Sequence, residues 1–180
     1  MRIIAGSRKG ARIFAPSGVE TRPTGDRVRE AAFNLLGPAR VEGATVLDLF
    51  AGSGAMGLEA LSRGAAEVVF VESARDACRT INRNLDKLRL TGAVVLCQEA
   101  FRALRADAAA GRRYDLVLVD PPYGMFSSLQ NTLIPHLAEV LAADGLLLLE
   151  TAASEEPELP LVQRTSRRYG AARLTLFEHA

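Results

Sequence analysis

Cysteine, histidine and long apolar runs are scarce in this chain, and each scarcity removes a class of function. Only two cysteines occur in 180 residues, Cys78 and Cys97, and no CxxC or metal-ligand spacing relates them. A disulfide framework is excluded, and the pair reads as buried thiols of a reducing cytoplasm. The two histidines, His136 and His179, fall in the middle of a helical stretch and at the C-terminal end. No general-base histidine and no metal site is therefore expected. No segment reaches the roughly 18 consecutive apolar residues of a membrane helix, so no membrane span is expected. The opening MRIIAGSRKGARIF lacks the apolar core of a signal peptide. Repeats and low-complexity tracts are absent as well, apart from an alanine-rich stretch at 103–110.

What remains is an ordinary globular composition, 48% hydrophobic and 24% charged, in a chain long enough for one well-packed domain and expected to be a monomer. The net charge of +1 hides an asymmetry. Residues 1–40 carry eight basic side chains against three acidic ones, a surplus of five, which leaves −4 for the rest. A basic arm on a mildly acidic body suits a polyanionic partner, and a plain solvated N-terminus is the alternative.

Two apolar stretches, RIIAG and ARIFAP, flank SRKG and predict a β-hairpin. Val28, Ala31, Ala32, Leu35 and Leu36 follow at helical spacing, with Thr24 or Asp26 as cap and Gly37-Pro38 as stop. From residue 44 strands and helices alternate: ATVLDLF, a helix to Gly64, AEVVFVE, a helix over 73–90, AVVLCQ, a short helix, YDLVLVD. The segment SLQNTLIPHLAEVLAADG reads as a helix that Pro135 could kink, and GLLLLET as a fifth strand. Two closing stretches around Gly170, 164–169 and 171–177, predict an antiparallel pair. The expected fold is α/β, Rossmann-like, with a mostly parallel sheet and helices on both faces. It divides into an extension, 1–40, and a main domain, 41–180.

Ligands in such sheets sit beyond the carboxyl ends of the strands. Asp48, Glu72 and Asp120 occupy three such ends. The loop DLFAGSGAMG satisfies G-x-G-x-x-G through Gly52, Gly54 and Gly57, and Glu72 lies 20 residues after Gly52, where a carboxylate can bind ribose hydroxyls. A nicotinamide cofactor would account for this much. Asp48 argues against it, because a carboxylate beside the loop repels pyrophosphate. It suits a phosphate-free ligand that bears an ammonium group, such as S-adenosylmethionine (AdoMet). The plain alternative is that Asp48 caps the helix. Phe50 lies within the same loop, and Glu99 or its neighbour Ala100 stands where the adenine amino group would be met; a surface Glu opening the helix is the alternative for Glu99.

The fourth strand ends in Asp120, Pro121, Pro122 and Tyr123. Two prolines give no N–H to a ladder, so the strand must stop there. An exocyclic amine of a nucleobase is a weak nucleophile, since its lone pair is delocalised into the ring. Asp120's carboxylate and Pro121's carbonyl can accept its two N–H bonds and favour a pyramidal nitrogen. Tyr123 offers a flat face for stacking. Methyl transfer to a planar amine, achieved by positioning, is the resulting reading.

With these residues in place the chain resembles the class I AdoMet-dependent methyltransferases that methylate amines. More closely it resembles the RsmD family, through RIIAG, TRPTGDRVREAAFNLL, VLDLFAGSGAMGLEALSRGA, VFVE, VDPPYG and YGAARL. Glu99 stands where that family mostly has Asp, and Ala171-Ala172 where it often has Asp-Thr. The resemblance implies an AdoMet-dependent transferase acting on the N2 amine of a guanine in 16S rRNA, with the small ribosomal subunit as partner. It implies that Asp48, Gly52 and Gly54 hold the methionine end of AdoMet and Glu72 its ribose. Basic residues of the extension, Arg8, Lys9, Arg12, Arg22, Arg27 and Arg29, would meet rRNA phosphates. An enzyme acting on adenine N6 in DNA or RNA, or on a protein amide, shares Asp120–Tyr123 and stays open, as does a non-catalytic RNA-binding module with the same fold.

Overall fold

The computed structural model describes residues 1–16, 25–122 and 126–180. Thr24, Arg22 and Tyr123 lie outside the described residues. Seven strands form one sheet in the order β3-β2-β1-β4-β5-β7-β6. Five of them, β1 (Thr45–Leu49), β2 (Glu67–Glu72), β3 (Ala93–Cys97), β4 (Tyr114–Val119) and β5 (Leu141–Ala152), run parallel. The hairpin β6 (Val162–Tyr169) and β7 (Ala172–Glu178) adds an antiparallel edge. Near-continuous apolar runs such as LVLV in β4 and LLLL in β5 report why: both faces of these strands are covered.

Helix α1 (Gly25–Leu36) packs on one face with α2 (Ala55–Ser62) and α3 (Arg75–Leu88). On the other face lie α4 (Ala100–Ala109) and α5 (Phe126–Val140). The connection after β1 runs to the first face and the one after β4 to the second, so the strand order reverses between β1 and β4. That reversal opens a crevice at their carboxyl ends.

The N-terminal hairpin is present in reduced form. One antiparallel bridge joins Arg2 to Arg12, Ile3 N–H donates to the Ala11 carbonyl at 2.9 Å, and a 3-10 turn at Gly6–Arg8 forms the tip. Ile3 and Ile13 enter the same apolar cluster as Phe33, Leu58 and the sheet. Asp26 is not the cap of α1 but lies in its first turn, where its carboxylate meets the positive helix end and bonds Arg29 at 2.9 Å.

One expected boundary is wrong. The helix stops at Val140, and LAADG belongs to β5, not to the helix. Leu141 pairs with Tyr114 and Leu146 with Leu116, so the intervening residues bulge out of the ladder. Their helix-forming composition yields to the pairing of Leu141, and Arg40 fastens the bulge through the Asp144 carbonyl at 2.9 Å.

Candidate active site

The crevice between β1 and β4 is built by backbone conformations that few residues accept. Phe50 follows β1 at φ 64, a left-handed conformation that costs a non-glycine residue about 1–3 kcal/mol. It turns the chain so that Ala51 N–H reaches the Val71 carbonyl at 3.0 Å. Gly54, at φ 78, begins α2; a Cβ there would press on Ile81 at 3.1 Å and Phe70 at 3.3 Å. Gly52, at φ 56, is different: a Cβ would meet nothing nearer than the Phe50 carbonyl at 4.0 Å. The space over Gly52 is open, and a side chain there would fill it.

Three carboxylates converge on this edge. Asp48, 2% exposed, accepts the Gly57 N–H at 2.8 Å and so holds the first turn of α2. The helix-capping alternative is therefore realised, from a strand instead of a flanking loop. Burial pushes its carboxyl up to about 7; the Gly57 bond works against this, and the charges of Asp120 and Glu72 add to it. Glu72 accepts Gly52 N–H at 2.9 Å through Oε2 and Ala74 N–H at 2.8 Å through Oε1, tying the second strand end to the glycine loop. Asp120, half-buried, is pinned by its N–H to the Leu49 carbonyl at 3.4 Å. Pro121 is buried and Pro122 exposed. An accumulation of negative charge at an open crevice suits a cation and disfavours a pyrophosphate. The residues present thus fit AdoMet, which carries ammonium and sulfonium charges and no phosphate.

Glu99 precedes α4 with its side chain exposed and no capping bond; Ala100 behind it is buried. The predicted RNA contacts disperse. Arg29 is 3% exposed, donates to the Arg2 carbonyl and to Asp26, and pairs at 3.6 Å with fully buried Glu59. No phosphate can reach it, and its role is corrected to an internal tie. Arg8 donates to the Leu88 and Arg89 carbonyls at the C-terminal end of α3, on the sheet edge opposite the crevice. Lys9, Arg12 and Arg27 are exposed.

Two residues that the sequence reading passed over organise this region. Glu59 accepts Ile4 N–H at 2.8 Å, Ala5 N–H at 2.9 Å and Arg63 at 2.8 Å, anchoring the hairpin. Asn84, also fully buried, accepts Phe14 N–H at 2.7 Å and donates to the carbonyls of Phe14 and Ser53 at 3.0 and 3.2 Å. It joins the arm to the glycine loop. Among the described residues no acid, histidine and cysteine cluster could hold a metal, and no helix is long and apolar enough to cross a membrane.

The model of the family described as conserved hypothetical protein 95 matches residues 1–178. The chain belongs to the conserved hypothetical protein 95 family. It is 43% identical to "Ribosomal RNA small subunit methyltransferase D" of Escherichia coli K12, over 88% of this chain and 75% of that protein. It is 38% identical to "Putative rRNA methyltransferase YlbH" of Bacillus subtilis, over 99% of this chain and 98% of that one. A solved Escherichia coli structure described as a putative methyltransferase superposes with a TM-score of 0.85 at 33% identity, covering 100% of this chain and 99% of the other. The resemblance drawn from the motifs is borne out, and the Rossmann-like methyltransferase fold with its closing antiparallel pair is the fold observed.

Proposed function

We propose that this member of the conserved hypothetical protein 95 family is an AdoMet-dependent methyltransferase acting on the N2 amine of a guanine in small-subunit rRNA. The observation that carries this reading is the convergence of Asp48, Glu72 and Asp120 on the crevice where the strand order reverses, in a chain 43% identical to a small-subunit rRNA methyltransferase. AdoMet supplies an activated methyl group on a sulfonium. The open space over Gly52 admits the cofactor, Gly54 lets the chain turn beneath it, and Asp48 sets a negative field for its ammonium group. Glu72 retains acceptor capacity on both oxygens for ribose hydroxyls beyond the two N–H bonds it takes. Ala100 and Glu99 border the adenine side.

Asp120's carboxylate and the Pro121 carbonyl accept the two N–H bonds of the exocyclic amine and aim its lone pair outward. Bound in the crevice, AdoMet would present its methyl group to the lone pair that Asp120 and Pro121 aim. Asp120 is the first base that the released proton meets. Tyr123 is assigned its stacking role from the sequence pattern. Guanine N2 inside a duplex faces the minor groove, so the target must be unpaired or flipped.

Labelled methyl transfer to small subunits from cells lacking the endogenous activity tests this, with the RNA digested to nucleosides. N2-methylguanosine should carry the label; N6-methyladenosine would overturn the substrate and keep the mechanism. Asp120→Ala should cut turnover by about 10²–10³-fold while calorimetry shows AdoMet still bound. Wild-type turnover in that variant would sink the assignment.

A further inference from the structure

A groove of about 600 Å³ lies between α1 and β6, away from the crevice just described. Asn34, Arg40, Arg164, Thr165, Arg167 and Tyr169 form its polar lining, and among the described residues no carboxylate lines it. Strand β6 reads VQRTSRRY, with three arginines and no acid. Charge on an edge strand commonly serves to prevent self-pairing, but that role needs no single sign and no convergence on a groove. Here Thr165, Arg167 and Tyr169 pair with Leu176, Leu174 and Ala172, all part of the cluster beneath α1. Directly opposed residues share a face, so the three side chains point together to the α1 side, about 6.7 Å apart along the strand. Arg164 is balanced by Glu178 at 3.2 Å, and Arg40 donates to the neutral Asp144 carbonyl, with no ion pair among the described residues. The groove therefore retains a positive excess.

Its position follows from the register. Val119 pairs with Leu149, Leu149 with Thr175 and Thr175 with Ser166. One step further along, Glu150 pairs with Leu174 and Leu174 with Arg167, and Asp120 directly follows Val119 where β4 ends. Arg167 thus stands level with the catalytic turn, three strand spacings or about 14 Å away, while Arg164 beside Glu178 and Arg40 beside Asp144 mark the groove's other end, level with the beginnings of β4 and β5. The hairpin tip with Arg8 lies at the opposite edge.

We propose that this groove holds the single-stranded RNA backbone flanking the target nucleotide, with Arg40 and Arg167 meeting phosphates and Tyr169 stacking on a base. The occupant is a polyanion by charge, and an RNA strand by the aromatic ring in line with the base-handling turn. This inference rests on the RNA methyltransferase reading above. The test measures binding of a short mixed-sequence single-stranded RNA across a salt series to the full chain and to Arg167→Glu, with Arg40→Gln as a second variant. Arg167→Glu should weaken binding at least about tenfold and flatten the log–log salt slope by about 0.7, while AdoMet affinity and thermal unfolding hold. Arg40→Gln should shift both quantities in the same direction. Unchanged affinity and slope in both variants would overturn the proposal, as would loss of an acidic peptide's binding with RNA binding intact. If the wild-type protein transfers no methyl to small subunits yet Arg167→Glu still loses RNA, the groove stands and the substrate reading falls.

Discussion

Asp48 is the residue in which stability and function oppose each other. Its carboxyl titrates near 7 instead of 3.8, because burial strips water from the charge and Asp120 and Glu72 repel it. The neutral form favours folding, so this contribution is complete below about 3.8 and is lost as pH rises through about 7. A cationic ligand acts in the opposite sense, since it binds the ionised carboxylate. AdoMet affinity should therefore rise several-fold between pH 5.5 and 8.5, with the steepest change near 7, and Asp48→Asn should flatten that profile. Calorimetry across the range decides it, and a level wild-type profile would refute the coupling. The candidate carboxylates were legible because each ends a strand. Glu59 was not, since a lone acid in AMGLEALS reads as surface. The available signal was that α2 is apolar on nearly every side. A helix covered all round must pair any charge it carries.

At the scale of elements, α3 does more than cover the sheet. Its apolar residues Cys78, Ile81, Leu85 and Leu88 recur at helical spacing and were legible as a buried stripe. Asn84 interrupts the polar flank beside that stripe, and an asparagine within a helix is unfavourable unless its amide is employed. Here it is employed three times. Around it, Arg83 and Lys87 lie 4.5 and 4.4 Å from the Phe14 ring centre, so the arm is held by both charge and hydrogen bonds. Asn84→Ala leaves part-buried backbone groups of Phe14 and Ser53 without that partner, at a cost of about 1–2 kcal/mol. Because Ser53 lies between Gly52 and Gly54, AdoMet affinity should fall with stability, by about tenfold if about 1.4 kcal/mol reaches the loop. Urea unfolding and calorimetry read the two effects separately; lost stability with unchanged AdoMet affinity would confine Asn84 to the arm. The beginning of β5 shows the converse. LAADG carries helical propensity, and only the distant partner Tyr114 reveals that it bulges from a strand.

For the whole molecule, the order of strands was mostly implicit in the alternation, while the placement of charge was not. Basic residues of the first 40 form a group in the sequence but divide in space: Arg29 is internal, Arg8 ties down α3, and Lys9, Arg12 and Arg27 stay exposed. Sequence proximity could not reveal this, because the ties run to Glu59 and Leu88, in other elements far along the chain. The same ties bear on whether residues 1–40 act as a separable extension. Ile3, Ile13, Val28 and Phe33 occupy one cluster with Leu58, Ile81 and Leu148, so extension and sheet share a core. Removing residues 1–16 would expose that surface. It would also leave Glu59, fully buried, with neither the Ile4 nor the Ala5 N–H and facing Arg29 and Arg63 alone. Breaking a buried charge network typically costs about 3–5 kcal/mol, a large share of a domain's stability of about 5–15 kcal/mol. The truncated chain should therefore show a urea midpoint far below wild type, with loss of AdoMet binding following from unfolding. A truncated protein of wild-type midpoint would show that the hairpin merely rests on the sheet, and would restore the picture of a detachable basic arm.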